Sequence, residues 1–253
     1  VGWHHRLVGQ SILTGSPFEA MMGKDGIDHV SVEGASNLPY AIPNLLVDLH
    51  TPTDIGVPVL WWRSVGSSHT AYSTEVFLDQ VAAAMGKDPV ALRLELLTDH
   101  PKHAGVLKLA ADKANWGTPL KAAAGERRGR GVAVHESFNS FVAQVAEVTV
   151  KKDGSIKVDR VVCAVDCGTA INPDNIRSQV EGAVGFALSA ALSGEITLKG
   201  GRVEQGNFDG YPILRIGDMP KVEVHIVPST AAPTGIGEPG VPPLAPAVAN
   251  AIA

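Results

Sequence analysis

Glycines and prolines crowd the segment Thr234–Ala247, TGIGEPGVPPLAPA, around a single carboxylate, Glu238. Glycines on both sides let a backbone approach a ligand closely, and prolines stiffen what remains. A carboxylate fixed in this way beside the start of a helix is mounted as a general base would be. The residues alone leave a plainer reading open, because a loop glutamate is more often a solvated surface charge. The same segment fits G-x-G-x-x-G from Gly235 to Gly240, which would suggest a nucleotide-binding oxidoreductase. That fit is poor: Pro239 removes a donor, Glu238 would face the pyrophosphate, and no second strand with a ribose-binding acid follows.

Two other segments carry groups able to recognise a ligand. Trp61–Thr70, WWRSVGSSHT, places Arg63 before a helix start, where Arg63 could orient a substrate or a cofactor anion. Gly66, Ser67 and Ser68 would offer N–H groups at that helix start. For Arg63 a structural ion pair is the alternative. Asp166–Pro173, DCGTAINP, is followed by Gln179–Ala183, QVEGA. The Gln179 amide can both donate and accept, although the outer face of an amphipathic helix would explain it equally. Trp61 and Trp62 would alternate faces on a strand, one in the core and one lining a pocket.

Other arrangements point away from chemistry. The nine histidines never take a HExxH-like spacing, and His4, His5, His100 and His103 read as surface or capping residues. No metal ligand set among protein side chains is expected. His135-Glu136-Ser137 lies in no G-x-S-x-G turn, which disfavours a hydrolase. Cys163 and Cys167 are the only cysteines, too few for a four-thiolate cluster, and read as ordinary thiols on a buried strand and its exit.

These groups need elements to position them. Residues 1–28 show no clean period. Strands are expected at His29–Glu33, Leu46–His50 and Val57–Trp62. Helices are expected at Thr70–Met85, from Asp88-Pro89 to Leu97, and from Lys102 to Asn115. Residues 118–130 form a polar connector between a first segment, 1–117, and a second, 131–253. Val142–Val150 and Ile156–Val165 flank an Asp153-Gly154 hairpin turn. Asn172-Pro173-Asp174 opens a helix to Leu192. Val222–Val227 alternates as a strand, and a Gly/Pro loop (228–243) leads into a terminal helix. The pattern is α+β, with mixed sheets, flanking helices and β-hairpins.

The chain has 253 residues, 45% of them hydrophobic and 19% charged, which suits a folded globular protein. A net charge of −5 and short basic clusters without interleaved aromatics disfavour a nucleic-acid partner. No apolar run is long enough for a transmembrane segment. Composition leaves cytoplasm and periplasm both open. The first residue is Val, and the last falls inside the apolar run Ala245–Ala253, so a fragment or processed subunit is expected.

Gly237–Asn250, GEPGVPPLAPAVAN, is similar to the C-terminal active-site motif of the molybdenum hydroxylases, the xanthine oxidase and aldehyde oxidoreductase family. It most resembles the isoquinoline 1-oxidoreductase large-subunit (beta) branch. The INP turn, the QVEGA helix and the WRSVGSS loop resemble the same branch, and the likeness runs from Gly2-Trp3-His4-His5 to the chain end. The resemblance implies a molybdopterin-binding domain whose cofactor carries molybdenum, in the cytosine dinucleotide form. Glu238 would then be the catalytic base, and Gln179, Gly237, Gly240, Arg63, Gly66 and Ser67 would bind the cofactor. The implied reaction hydroxylates an aldehyde or N-heterocycle with water-derived oxygen. The implied partners are a small subunit with [2Fe–2S] clusters and the N-terminal remainder of the large subunit. The family's GGFGG-like and MGQG-like segments do not occur in the chain and would precede Val1. The alternative is therefore a non-catalytic fragment that folds and binds partners without holding cofactor alone.

Overall fold

The computed structural model describes residues 2–23 and 25–253. Near its start, β1 (Trp3–Val8) runs parallel to β2 (Leu45–His50), pairing Trp3 with Leu45 and Val8 with His50. The sequence WHHRLV does not announce a strand, because two histidines and an arginine interrupt its apolar alternation. Trp3 and Leu7 point inward, and Arg6 forks onto Asp48 of β2.

Between them lies a correction. His29–Glu33 is not a strand: His29–Val32 forms a one-turn helix, α1. Asp28 caps it, accepting from the N–H groups of Val30 (3.0 Å) and Ser31 (3.3 Å), and this local cap outweighs the β propensity of the two valines. Val57–Trp62 is likewise no strand but exposed chain outside any ladder. Pro58 lacks a donor, and a bond from Gln10 Nε2 to the Val57 carbonyl ties the segment down instead. Neither tryptophan enters the core; Trp61 packs on Phe18, and Trp62 packs on Phe186.

Three helices follow: α2 (Ser67–Ala84), α3 (Pro89–Leu96), capped by Asp88, and α4 (Pro101–Lys113). Arg93 of α3 is fully buried and bonds Glu75 and Asp79 of α2, while Tyr40 donates to Glu75 Oε1 at 2.5 Å. Burial, and then the Glu75 charge, hold the Tyr40 phenol well above its ordinary range.

In the main sheet β3 (Glu126–Ser137), β4 (Ser140–Lys151) and β5 (Ile156–Asp166) lie side by side and antiparallel, and one later strand joins the β5 edge. β3 starts inside the stretch read from sequence as a connector, because Arg128 finds Asp159 on β5 and Arg130 finds Glu147 on β4. After β5 come α5 (Pro173–Leu192), the short hairpin β6 (Leu198–Lys199) and β7 (Arg202–Val203), and β8 (Lys221–Ile226), parallel to β5. α6 (Leu244–Ile252) is last.

Both faces of this sheet are covered, so its strands are apolar almost throughout. Val132, Val134, Ala143, Val145, Val162 and Ala164 pack with α2, α3 and α4. Ala133, Ala146, Val148, Val161 and Cys163 pack with α5 and α6 on the other face. Helix α6 lies directly on β3: a Cβ at Gly131 would fall 2.2 Å from the Ala247 carbonyl. His103 is buried against this core rather than on the surface, its ring edge-on to Phe141. The two cysteines are buried and unpaired, Cys163 on β5 and Cys167 just beyond it.

Candidate active site

Residues 228–243 connect β8 to α6, and the Glu238 turn within them is pinned at each end. On one side the Thr234 N–H donates to the Cys167 carbonyl, and the Ser140 hydroxyl lies 2.7 Å from Thr234 Oγ1 and donates to the Gly235 carbonyl at 2.6 Å. On the other, Gln144, fully buried on β4, donates its amide to the Gly240 carbonyl at 2.8 Å. Gly240 itself rests on α5, where a Cβ would meet that of Ala183 at 2.8 Å. The DCGTAINP segment supports the same loop. Gly168 has φ +72° and sits under Ala232, whose carbonyl would be 2.1 Å from any Cβ there.

The Arg63–Gly66 turn closes over Glu238 from across the molecule. Ser64 and Val65 take left-handed backbone (φ 73° and 50°). This conformation aims the Ser64 N–H at Glu238 Oε1 (3.0 Å), and the buried Ser64 hydroxyl donates to the Glu238 carbonyl (2.7 Å). Arg63 is a strut rather than an ion-pair partner. Its Nε donates to the Gly237 carbonyl at 2.8 Å, its Nη2 reaches that carbonyl as well as the Gln179 carbonyl at 3.1 Å, and its Cζ lies 5.7 Å from the Phe186 ring centre. Burial lowers the guanidinium's proton affinity, and the Glu238 charge opposes that.

Arg63, Gln179, Gly237, Gly240 and Glu238 therefore converge as a group. Gly66 and Ser67 lie beside them, but their N–H groups are already engaged. The Glu33 carboxylate accepts from Ser67 N at 3.2 Å and is also bonded by Gly66 N–H. Burial is the main cause that raises the Glu33 pKa; these two N–H bonds oppose it, and the charges of Glu136 and Glu238 add to it. Sequence reasoning missed Ser64, Gln144, Ser140 and Glu33. Only the serine and glycine run of WRSVGSS hinted at the first of them.

Two surface clefts flank the group, of about 640 and 570 Å³, and Trp62 lines both. The larger lies between α2, α5 and α6 and the smaller between α5 and Tyr211–Met219; Glu238 lines neither. Space is open at the loop itself, since a Cβ on Gly237 would meet nothing within 4 Å. The Gln179 side chain accepts weakly from Arg63 (3.4 Å), and its Nε2 has no acceptor among the described residues. A free amide donor beside an open glycine and a fixed carboxylate can recognise the polar edge of a bound ligand. Among the described residues, no three His, Cys, Asp or Glu side chains gather to hold a metal ion. Among the described residues, no helix is long and apolar enough to cross a membrane.

Residues 78–220 match the molybdopterin cofactor-binding domain family. The chain belongs to that family, within the xanthine oxidase group. The beta chain of isoquinoline 1-oxidoreductase from Brevundimonas diminuta is 33% identical over 215 residues, covering 85% of this chain and 27% of that protein. A nicotinate dehydrogenase chain from Pseudomonas putida is 33% identical over 229 residues, covering 85% and 19%. The chain thus spans only a fifth to a quarter of the length of these curated relatives. Quinoline 2-oxidoreductase from Pseudomonas putida 86 shares the fold with a TM-score of 0.78 at 12% identity, covering 88% of this chain and 53% of its own.

Proposed function

We propose that this chain supplies the general base and part of the cofactor cradle of a molybdenum hydroxylase acting on aldehydes or N-heterocycles. The observation that carries the reading is the Ser64 N–H bond to Glu238 Oε1 within a loop held by Arg63, Ser140 and Gln144. One carboxylate oxygen is fixed, and Oε2 has no donor among the described residues, so it is available to take a proton from an attacking oxygen. Gln179 Nε2 and the open backbone at Gly237 would hold the pterin, and Gly240 sets the loop's distance from α5. When bound, molybdenum coordinated by the pterin dithiolene supplies the Lewis acid and two-electron acceptor. The cytosine dinucleotide form of the cofactor, a [2Fe–2S] subunit receiving the electrons and the remainder of the large subunit complete the proposal. Isoquinoline and nicotinate appear in the names of relatives, and both are N-heterocycles.

The test is Glu238→Gln in the complete, cofactor-loaded enzyme. Turnover should fall by at least ~10²-fold, the scale of general-base catalysis, with molybdenum content and melting temperature unchanged. Full turnover would remove Glu238 from the mechanism. One observation favours a second reading, a domain that holds no cofactor alone: Glu33 already takes the N–H groups of Gly66 and Ser67. Molybdenum analysis of the chain, alone and joined to the remainder of the large subunit, separates the two readings: metal kept by the isolated chain excludes the second, and metal found only in the joined protein supports it.

A further inference from the structure

We propose that Glu33 is a positioning residue for Glu238, acting through the Arg63–Ser68 turn; this rests on the reading of Glu238 as the base. The turn bonds two carboxylates in succession, Glu238 through the Ser64 N–H and Glu33 through the Ser67 N–H. Ser64 and Val65 hold left-handed backbone, which branched or polar side chains rarely keep unless neighbours over-determine it. Glu238 holds the Ser64 end of the turn, and Glu33 holds the other end at Ser67. The Glu33 carbonyl accepts from Thr70 Oγ1 at 2.7 Å, and the same hydroxyl reaches the Gly66 carbonyl at 3.0 Å, so backbone and side chain of Glu33 both grip the start of α2.

The fit leaves no slack. A Cβ at Gly66 would fall 1.9 Å from the Val30 carbonyl and 3.0 Å from Glu33 Cγ. One at Gly34 would fall 2.5 Å from Thr70 Oγ1 and 2.7 Å from the His135 ring. Two glycines therefore let the α1 turn press on the Arg63–Ser68 turn, and Glu33 is the side chain at the contact. Loss of its bond frees the turn, and the Ser64 N–H no longer fixes Glu238 Oε1. A carboxylate base displaced by about 1 Å loses rate steeply.

The experiment compares Glu33→Asp and Glu33→Gln in the complete, cofactor-loaded enzyme, each also on a Glu238→Gln background. Asp keeps the charge but is a methylene too short to reach Ser67, whereas Gln keeps the reach without the charge. Glu33→Asp should lower kcat by about tenfold with KM within about twofold, while Glu33→Gln stays within about threefold of wild type. On the Glu238→Gln background Glu33→Asp should change residual turnover by less than about twofold, because it acts through the missing carboxylate. Amide exchange across residues 63–68 should rise by about tenfold in Glu33→Asp at an unchanged melting temperature, a readout independent of activity. Additive losses, unchanged exchange, or a larger defect in Gln than in Asp would overturn the proposal. If Glu238→Gln alone keeps full turnover, the base assignment fails instead, and exchange still decides whether Glu33 holds the turn.

Discussion

Replacing Gly240 by alanine perturbs the catalytic loop without touching Glu238. The added Cβ would lie 2.8 Å from Ala183 Cβ and 3.4 Å from Val180 Cα on α5. Carbon atoms in contact rest about 3.5–4.0 Å apart, so loop and helix must separate by roughly 1 Å. Both α5 residues are buried in the core beneath β5, and the Gly240 carbonyl is tied to buried Gln144, so neither side can yield freely. Overpacking of this kind costs about 1–3 kcal/mol. Glu238 is two residues upstream, and a displacement of about 1 Å at a reacting group costs up to ~10²-fold in rate. Gly240→Ala should therefore lower the urea midpoint and reduce kcat by about 10- to 10²-fold in the complete enzyme. Adding Ala183→Gly reopens the space and should recover most of the rate. It should not recover all of the stability, because glycine inside a helix costs about 1 kcal/mol. Wild-type kcat in Gly240→Ala, or no recovery in the double variant, would refute the reasoning.

Two further outcomes follow from buried charge elsewhere in the fold. Arg93→Met strands Glu75, which is 1% exposed, and should destabilise by about 3–5 kcal/mol in denaturant melts; Arg93→Met with Glu75→Met should regain little of that, because the Tyr40 hydroxyl and the Val134 N–H then lose their acceptor. Burial, followed by neighbouring histidine charge, lowers the pKa of His103 to about 4 and of His135 to about 3. Unfolded, both rings protonate near the ordinary 6.5, so the unfolded state binds more protons below that pH. Stability should be full above about pH 6.5 and fall as pH drops toward 4 and then 3, and His103→Gln should flatten the slope of urea midpoint against pH.

What the sequence determined by itself is what neighbouring residues decide among themselves. Asp88-Pro89 starts α3 and Asn172-Pro173 starts α5, because each cap reaches N–H groups only two or three residues ahead. Asp153-Gly154 turns β4 into β5 for the same reason, with Gly154 at φ +84°. The glycines and prolines around Glu238 likewise showed a stiff loop bearing one carboxylate. The α1 turn is local in the same way, since Asp28 caps it against the β preference of its two valines. Tertiary structure decided the rest. The parallel pairing of β1 with β2 and the burial of His103 depend on partners distant in the chain. Ser64 reaches Glu238, and Arg63 reaches Gly237, across 174 residues. No periodicity encodes such a contact, because it exists only once the sheet has brought α2, α5 and the Glu238 loop to one place. A single glutamate was legible as a candidate base; the hydrogen bond that aims it was not, because its donor is a backbone N–H whose direction is set by the fold.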